Sequence, residues 1–250
     1  MTADDVIRAF GLPASALQRT PVPKEAIARR VMGSDRRALL DGLRSLVWVA
    51  VIKPGSVAIP AFSDATRDYG EVLVFRATLR PGVTSARVVG PIHRAVSYPT
   101  AVVAEGDEGV SVSFAHVRRH ERRPDAVVMD GEVRLVPLRD EEADGHFLAS
   151  LPVAASSGTH LHALYEGWVE RAEALAVSRV TGAFRPPTGP EAAQVRRERF
   201  HTVLALDETI AANVRLAQRA RALAERVSLN NQIAELRERR SALIALLTAS

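Results

Sequence analysis

Cysteine is absent from the 250 residues, which removes disulfides, thiolate zinc sites, iron–sulfur clusters and cysteine nucleophiles together. Lysine is nearly absent too: Lys24 and Lys53 stand alone among 33 basic residues, so positive charge is carried by arginine. With Ala and Val abundant, that bias is what a GC-rich genome produces, and arginine preference alone does not signify phosphate recognition. No apolar run reaches the eighteen or so residues of a membrane span; the longest, 46–52, is strand-sized. The N-terminus carries no basic segment followed by an apolar one, and the expected compartment is the cytoplasm. A Gly-rich loop ending in Gly-Lys-Ser/Thr and the nucleophile elbow of the α/β-hydrolases are both missing. Glycine and proline vanish altogether between 191 and 250.

That last absence dominates the chain. Residues 191–250 are rich in Ala, Leu, Arg and Glu, the strong helix formers, and lack the residues that end helices. Pro190 suits a first helical turn. Apolar positions recur every three or four residues through Val203, Leu206, Ile210, Val214 and Ala217, then through Leu229, Ile233, Leu236, Leu243 and Leu247. A straight helix of this length would run on the order of 90 Å, so it must fold back, project or pair. The expected interruption is 228–231, where Ser228, Asn230 and Asn231 compete for backbone hydrogen bonds. The seam reads either as an internal hairpin or as a partner-binding coiled coil. Leu229, Ile233, Leu236, Leu243 and Leu247 are the candidate partner interface.

With 47% hydrophobic and 25% charged residues, the chain is an ordinary globular sequence, long enough for one large or two modest domains. The net charge of +4 admits nucleic acid without demanding it, because acids are interspersed with the arginines. Thr2 caps a short helix that Gly11 stops. Two further short helices span 24–32 and 34–43. They read as a layer on the following sheet or, alternatively, as a helix-turn-helix presenting Arg29, Arg30, Arg36 and Arg37.

Residues 46–53 are apolar on both faces, the mark of a central strand. Further strands are expected at 71–80, 100–104, 110–117, 126–129 and 132–135, with a helix over 85–97. Asp130-Gly131 is the strongest hairpin signal in the chain. Segment 139–157 reads as a connection, and Thr159 as the cap of a helix reaching about Val180, the expected antiparallel neighbour of the long C-terminal helix. The fold class is α+β: a mixed sheet of five or six strands with helices, followed by a long C-terminal helical hairpin or coiled coil. The expected organisation is 1–45 (helices packing on the sheet), 46–140 (central α/β domain) and 158–250 (helical hairpin or coiled-coil region).

Chemistry is sparse. His160 and His162 form a His-x-His pair, but side chains two apart on a helix point to different faces, and no metal site is expected of them. Asp64, Asp68 and Glu71 sit before and at a strand, where a metal-dependent nuclease would hold its carboxylates. The lysine usual two positions after the last acid is Leu73 here, so solvated loop acids are the simpler reading. Arg118, Arg119, Arg122 and Arg123 are the densest positive cluster and the candidate nucleic-acid contact; a solvated hairpin tip is the alternative. No catalytic residue, metal ligand or cofactor is assigned.

The segments Val22-Pro-Lys24, Leu46-Val-Trp-Val-Ala-Val-Ile-Lys-Pro-Gly-Ser-Val-Ala-Ile59 and Glu71-Val-Leu-Val-Phe75, with 224–237 around Asn230, resemble a prokaryotic family of domains of unknown function, type 4391. That resemblance implies a gene neighbourhood of Swi/Snf-type helicases and DNA methyltransferases in defence clusters. The function expected is a non-enzymatic accessory subunit of a DNA-acting defence or modification complex, docking to a helicase-type partner or to itself through its C-terminal helices. The rivals are a metal-dependent nuclease using Asp64, Asp68 and Glu71, and a DNA-binding module.

Overall fold

The computed structural model describes residues 1–155 and 159–249, and the chain divides into two compact units, Met1–Glu173 and Ala174–Ser250. The expected start of the helical region at 158 lies outside the described residues. In the first unit, six strands form one sheet in the order β1 (Leu17–Pro21), β2 (Leu43–Ile52), β5 (Val72–Leu79), β6 (Thr100–Gly106), β7 (Gly109–His120) and β8 (Arg123–Pro137). All neighbours are antiparallel except β5 and β6, which run parallel through the crossover helix α4 (Ser85–Ala95). A two-residue ribbon, β3 (Phe62–Ser63) with β4 (Asp68–Tyr69), stands in the connection from β2 to β5. The mixed α+β class is therefore what the pattern indicates.

Strand residues alternate between two buried faces. On one, Leu73, Phe75, Ala77 and Leu79 of β5 and Val102 and Ala104 of β6 pack with Ile27, Leu39, Val88 and Ile92 from α2 (Lys24–Ala28), α3 (Gly33–Gly42) and α4. The short N-terminal helices are thus a layer on the sheet. Gly42 lets α3 meet α4: a Cβ there would lie 2.7 Å from Val88 Cγ2. On the other face, Phe10 at the end of α1 (Ala3–Ala9) meets Trp168 edge to face at 4.9 Å, and Phe114 of β7 lies against both Tyr165 and Trp168. Trp168 and Tyr165 belong to α6 (Leu161–Thr181), and the Trp168 indole N–H donates to the Leu151 carbonyl at 2.9 Å.

Three local expectations are corrected. Asp130-Gly131 makes no hairpin: β8 runs through it as one strand, and Gly131 (φ +77°) sits in a bulge where three residues of β8 lie opposite Ala115 of β7. Pairing along the long β7 overrides the local turn preference. Segment 139–157 contains a helix, α5 (Glu142–Ser150), closed by a capping box between Glu141 and Asp144 and anchored by buried Phe147. At the start of α6 it is the His160 ring Nδ1, not Thr159, that accepts from a helix N–H, that of Ala163, at 3.1 Å. β1, for which the sequence pattern carried no expectation, adds an edge strand beside β2.

In the second unit, α7 (Pro190–Arg219) and α8 (Leu223–Ala249) form a helical hairpin. The break falls at 220–222, with Ala220 in extended conformation, and not at 228–231. Ser228, Asn230 and Asn231 are exposed, so their side chains do not need the backbone as partner and α8 continues through them. Hence α7 packs on α8, where 161–180 had been expected as its neighbour, although Val177 from the end of α6 joins Val203 and Leu247 in a small core. The Arg240 guanidinium grips Asp207 with two nitrogens, and Arg185 donates to the Thr248 carbonyl at 2.8 Å. Among the described residues, no helix is long and apolar enough to cross a membrane.

Two outcomes follow. Trp168→Ala removes the largest fully buried side chain and should cost about 3–5 kcal/mol in urea or thermal unfolding. His93 of α4, bonded to Ser113 Oγ at 3.0 Å, is buried; burial first, and the Arg94 charge second, depress its pKa to about 3. A depressed folded-state value means its neutral-ring stabilisation is complete above the unfolded pKa near 6.5 and is lost as pH falls toward 3. Chemical denaturation between pH 7 and pH 4 should show His93→Gln losing less stability on acidification than the wild type.

Candidate functional site

The bulge at Gly131, the end of β7, the β3–β4 ribbon and the first turns of α6 converge on one cluster of polar and aromatic side chains in the first unit. His116 of β7 is its centre. Its Nδ1 lies 2.6 Å from the Tyr69 hydroxyl, and its Nε2 lies 3.1 Å from Glu166 Oε2, outside hydrogen-bond geometry. His162 and Glu166 are four apart on α6 and so share a helix face. The His116 and His162 rings are 5.8 Å apart, and Tyr69 meets His162 edge on at 4.7 Å. Phe62 covers the outside, 4.5 Å from the His160 ring and 5.0 Å from that of His162. Beneath the cluster, the Tyr165 hydroxyl sits 2.8 Å from the carbonyls of Thr100 and Ala115 and accepts from the Ala115 N–H, bridging β6 and β7.

Electrostatics favour a neutral ring at His162. Burial, and then the neighbouring His116, push His162 below its ordinary value. Burial also raises the Tyr69 hydroxyl well above the usual tyrosine range, against the pull of the Val117 backbone, so Tyr69 is a neutral phenol. The charge of Arg67 acts on both Tyr69 and His162; its Nη2 is 3.6 Å from Asp130, which also faces Arg118 Nε at 3.6 Å. The bulge places Asp130 there, which is the service a bulge beside a site commonly provides.

The arginine cluster divides in two. Arg119 is a clamp: its backbone N–H donates to the Thr66 carbonyl at 2.7 Å, Nη1 to the Asp64 carbonyl at 2.7 Å, and Nη2 to Ser63 Oγ at 2.9 Å and Asp68 Oδ2 at 3.1 Å. Arg118 faces Glu121 and Asp130. Arg122 and Arg123 are exposed at the β7–β8 turn, with no ion pair to either guanidinium among the described residues.

The three acids are placed apart in role. Asp64 Oδ1 accepts from the backbone of Arg67 at 2.6 Å and of Thr66 at 2.7 Å, and these bonds, in that order, lower its pKa. Asp68 faces Arg119, and Glu71 is half-buried just before β5. Among the described residues, Asp64, Asp68 and Glu71 do not draw together into a set of metal-ligand atoms. On α8, Ile233 and Leu247 are buried and Leu229, Leu236 and Leu243 half-buried.

Sequence reasoning missed Tyr69, His116 and Glu166 as partners of His162. His162-x-x-x-Glu166 carried half the signal, being the helical i, i+4 spacing. His116 lies 46 positions upstream of His162 on a strand, and only the packing of α6 on the sheet joins them.

A six-stranded mixed sheet covered by helices on both faces, with a His–His–Glu cluster on one side, followed by a long helical hairpin, is the class of protein the structure defines. The family profile of a domain of unknown function, DUF4391, matches residues 10–239. The chain belongs to that family. No curated protein and no solved structure matches it.

Arg119→Ala should release the 62–69 ribbon, read as faster amide exchange of residues 62–69 with the rest of the sheet protected. Arg122→Ala/Arg123→Ala should leave stability within about 0.5 kcal/mol. If the pair contacts duplex DNA, the double variant flattens the log-affinity against log-salt slope by about 0.9 per lost phosphate contact in fluorescence anisotropy; an unchanged slope assigns them no contact.

Proposed function

We propose that this protein acts by association, as an accessory subunit docking through the turn end of its C-terminal hairpin onto a larger protein. The observation that carries this reading is the exposure of Leu216, Leu223 and Val227, which are 53%, 66% and 50% accessible around the 220–222 turn. Beside them lies a groove of about 380 Å³ lined by Val214, Ala217, Gln218, Arg226, Asn230, Ile233 and Arg237. Exposed leucines gathered at a helix turn are of no use to the hairpin itself and fit a partner's apolar surface. Residues 211–240 carry seven arginines against three glutamates, so the complementary surface is apolar with an acidic rim.

Ile233 and Leu247, which the seam nominated as interface, support docking indirectly by holding α8 against α7, while Leu229 keeps partial exposure. The family resemblance suggests what kind of partner to try first: a Swi/Snf-type helicase or another DNA-acting subunit of a defence or modification system. Direct DNA contact through Arg122 and Arg123 is a second reading, favoured by their having no ion pair among the described residues.

Co-expression with neighbouring gene products, followed by size-exclusion chromatography with light scattering, tests the proposal. Leu223→Asp/Val227→Asp should abolish the complex while leaving the melting temperature nearly unchanged, because both side chains are already exposed. By contrast, Ile233→Asp buries a charge and should destabilise the hairpin as well. A wild-type protein that stays monomeric and retains no neighbour would overturn the docking reading.

A further inference from the structure

The residues His116, His162 and Glu166 offer three ligand atoms that all lie within 4.8 Å of one another. They come from two elements that a cation would tie together: β7 supplies one histidine, and one face of α6 supplies the other histidine and the carboxylate. A second observation is independent of that spacing. The Nε2 atoms of both His116 and His162 are buried without a hydrogen-bond partner among the described residues. A buried imidazole nitrogen without a partner sacrifices hydrogen-bond energy for nothing, and two facing one carboxylate are a donor set in search of an acceptor of lone pairs.

We propose that the first unit holds a divalent transition-metal ion of the zinc class, bound by His116 Nε2, His162 Nε2 and the Glu166 carboxylate. Two neutral imidazoles and one carboxylate suit zinc, cobalt or iron and argue against magnesium and calcium, which prefer oxygen. Zinc bonds of about 2.0–2.2 Å set tetrahedral ligand atoms roughly 3.4 Å apart. The His116–Glu166 separation of 3.1 Å already has that scale. His162 closes the set by a side-chain adjustment of the order of an ångström, well within rotamer freedom.

Tyr69 supplies the supporting contact that bound imidazoles usually have. With Nδ1–H of His116 donating to the Tyr69 oxygen, across the 2.6 Å contact, Nε2 is left with its lone pair free for the ion. Three protein ligands leave the fourth position to water or to an oxygen of a bound ligand, the arrangement of catalytic rather than closed structural sites. Arg67, on the loop between β3 and β4, is the cation that would favour an anionic oxygen there. The site is built wholly from residues of the first unit and the docking surface wholly from residues of the second, so the two readings are tested separately.

The test is calorimetric titration of the chelator-stripped full chain with Zn²⁺, Co²⁺ and Mg²⁺, together with the visible spectrum of the cobalt form. Expected is one Zn²⁺ or Co²⁺ per chain, no comparable Mg²⁺ binding, and an intense tetrahedral cobalt band. His162→Gln and Glu166→Gln should each abolish the cobalt band and weaken Zn²⁺ binding by at least about 100-fold, and Tyr69→Phe should weaken it by about 10–100-fold. Glu166 is half-exposed, so Glu166→Gln is the variant that tests the site even if a histidine variant fails to fold. Absence of Zn²⁺ and Co²⁺ binding in the wild type, or affinities unchanged in Glu166→Gln, would overturn the proposal.

Discussion

Strands β5 and β6 are apolar on both faces, and burying both at once is the requirement from which the remaining architecture follows. A parallel pair needs a crossover, and α4 fills that role while sealing one face with Val88, Val89 and Ile92. The other face is closed by α1, α5 and the first half of α6, where Phe10, Phe114, Tyr165 and Trp168 interlock. At about 25 cal/mol per Å² of apolar area removed from water, large aromatic side chains such as these anchor α6 more firmly than its propensity could. Once α6 is fixed along the sheet by Trp168, its next turn toward the N-terminus has no choice but to carry Glu166 and His162 over the end of β7.

The polar cluster is therefore a consequence of aromatic packing. Tyr165 shows the link most directly: its ring is buried against Phe114, and its hydroxyl reaches the Thr100 and Ala115 backbone. One residue later on the helix stands Glu166, and one residue beyond Ala115 on the strand stands His116. A buried aromatic pair thus sets the separation of two ionisable groups to 3.1 Å. The β3–β4 ribbon, held by Arg119, then covers the cluster with Phe62 and Tyr69.

The sequence announced the elements whose pattern is periodic and left out what depends on contact. The double-faced apolarity of 46–53, the strand expected at 71–80 and the Gly- and Pro-free tail correspond to β2, β5 and the α7–α8 hairpin. Local turn chemistry was a poorer guide: Asp130-Gly131 became a bulge because β7 offered a partner beyond it, and the Asn230-Asn231 pair stayed helical with its side chains in solvent. The helix reversal at 220–222 has neither glycine nor proline to mark it. Of the metal-type cluster, only the His162–Glu166 spacing was visible beforehand; His116 and Tyr69 arrive by tertiary packing, and no spacing rule connects 69, 116 and 162.

The central claim is that packing α6 on the sheet assembles a cation site from His116, His162 and Glu166. It is tested most directly by anomalous diffraction at the zinc edge from crystals of the full chain grown with zinc. The account predicts one strong peak within bonding distance, about 2.0–2.2 Å, of both histidine rings and the Glu166 carboxylate, with Tyr69 on the far nitrogen of His116. A map with no peak there, and with the two histidines hydrogen-bonded to protein groups instead, would contradict it.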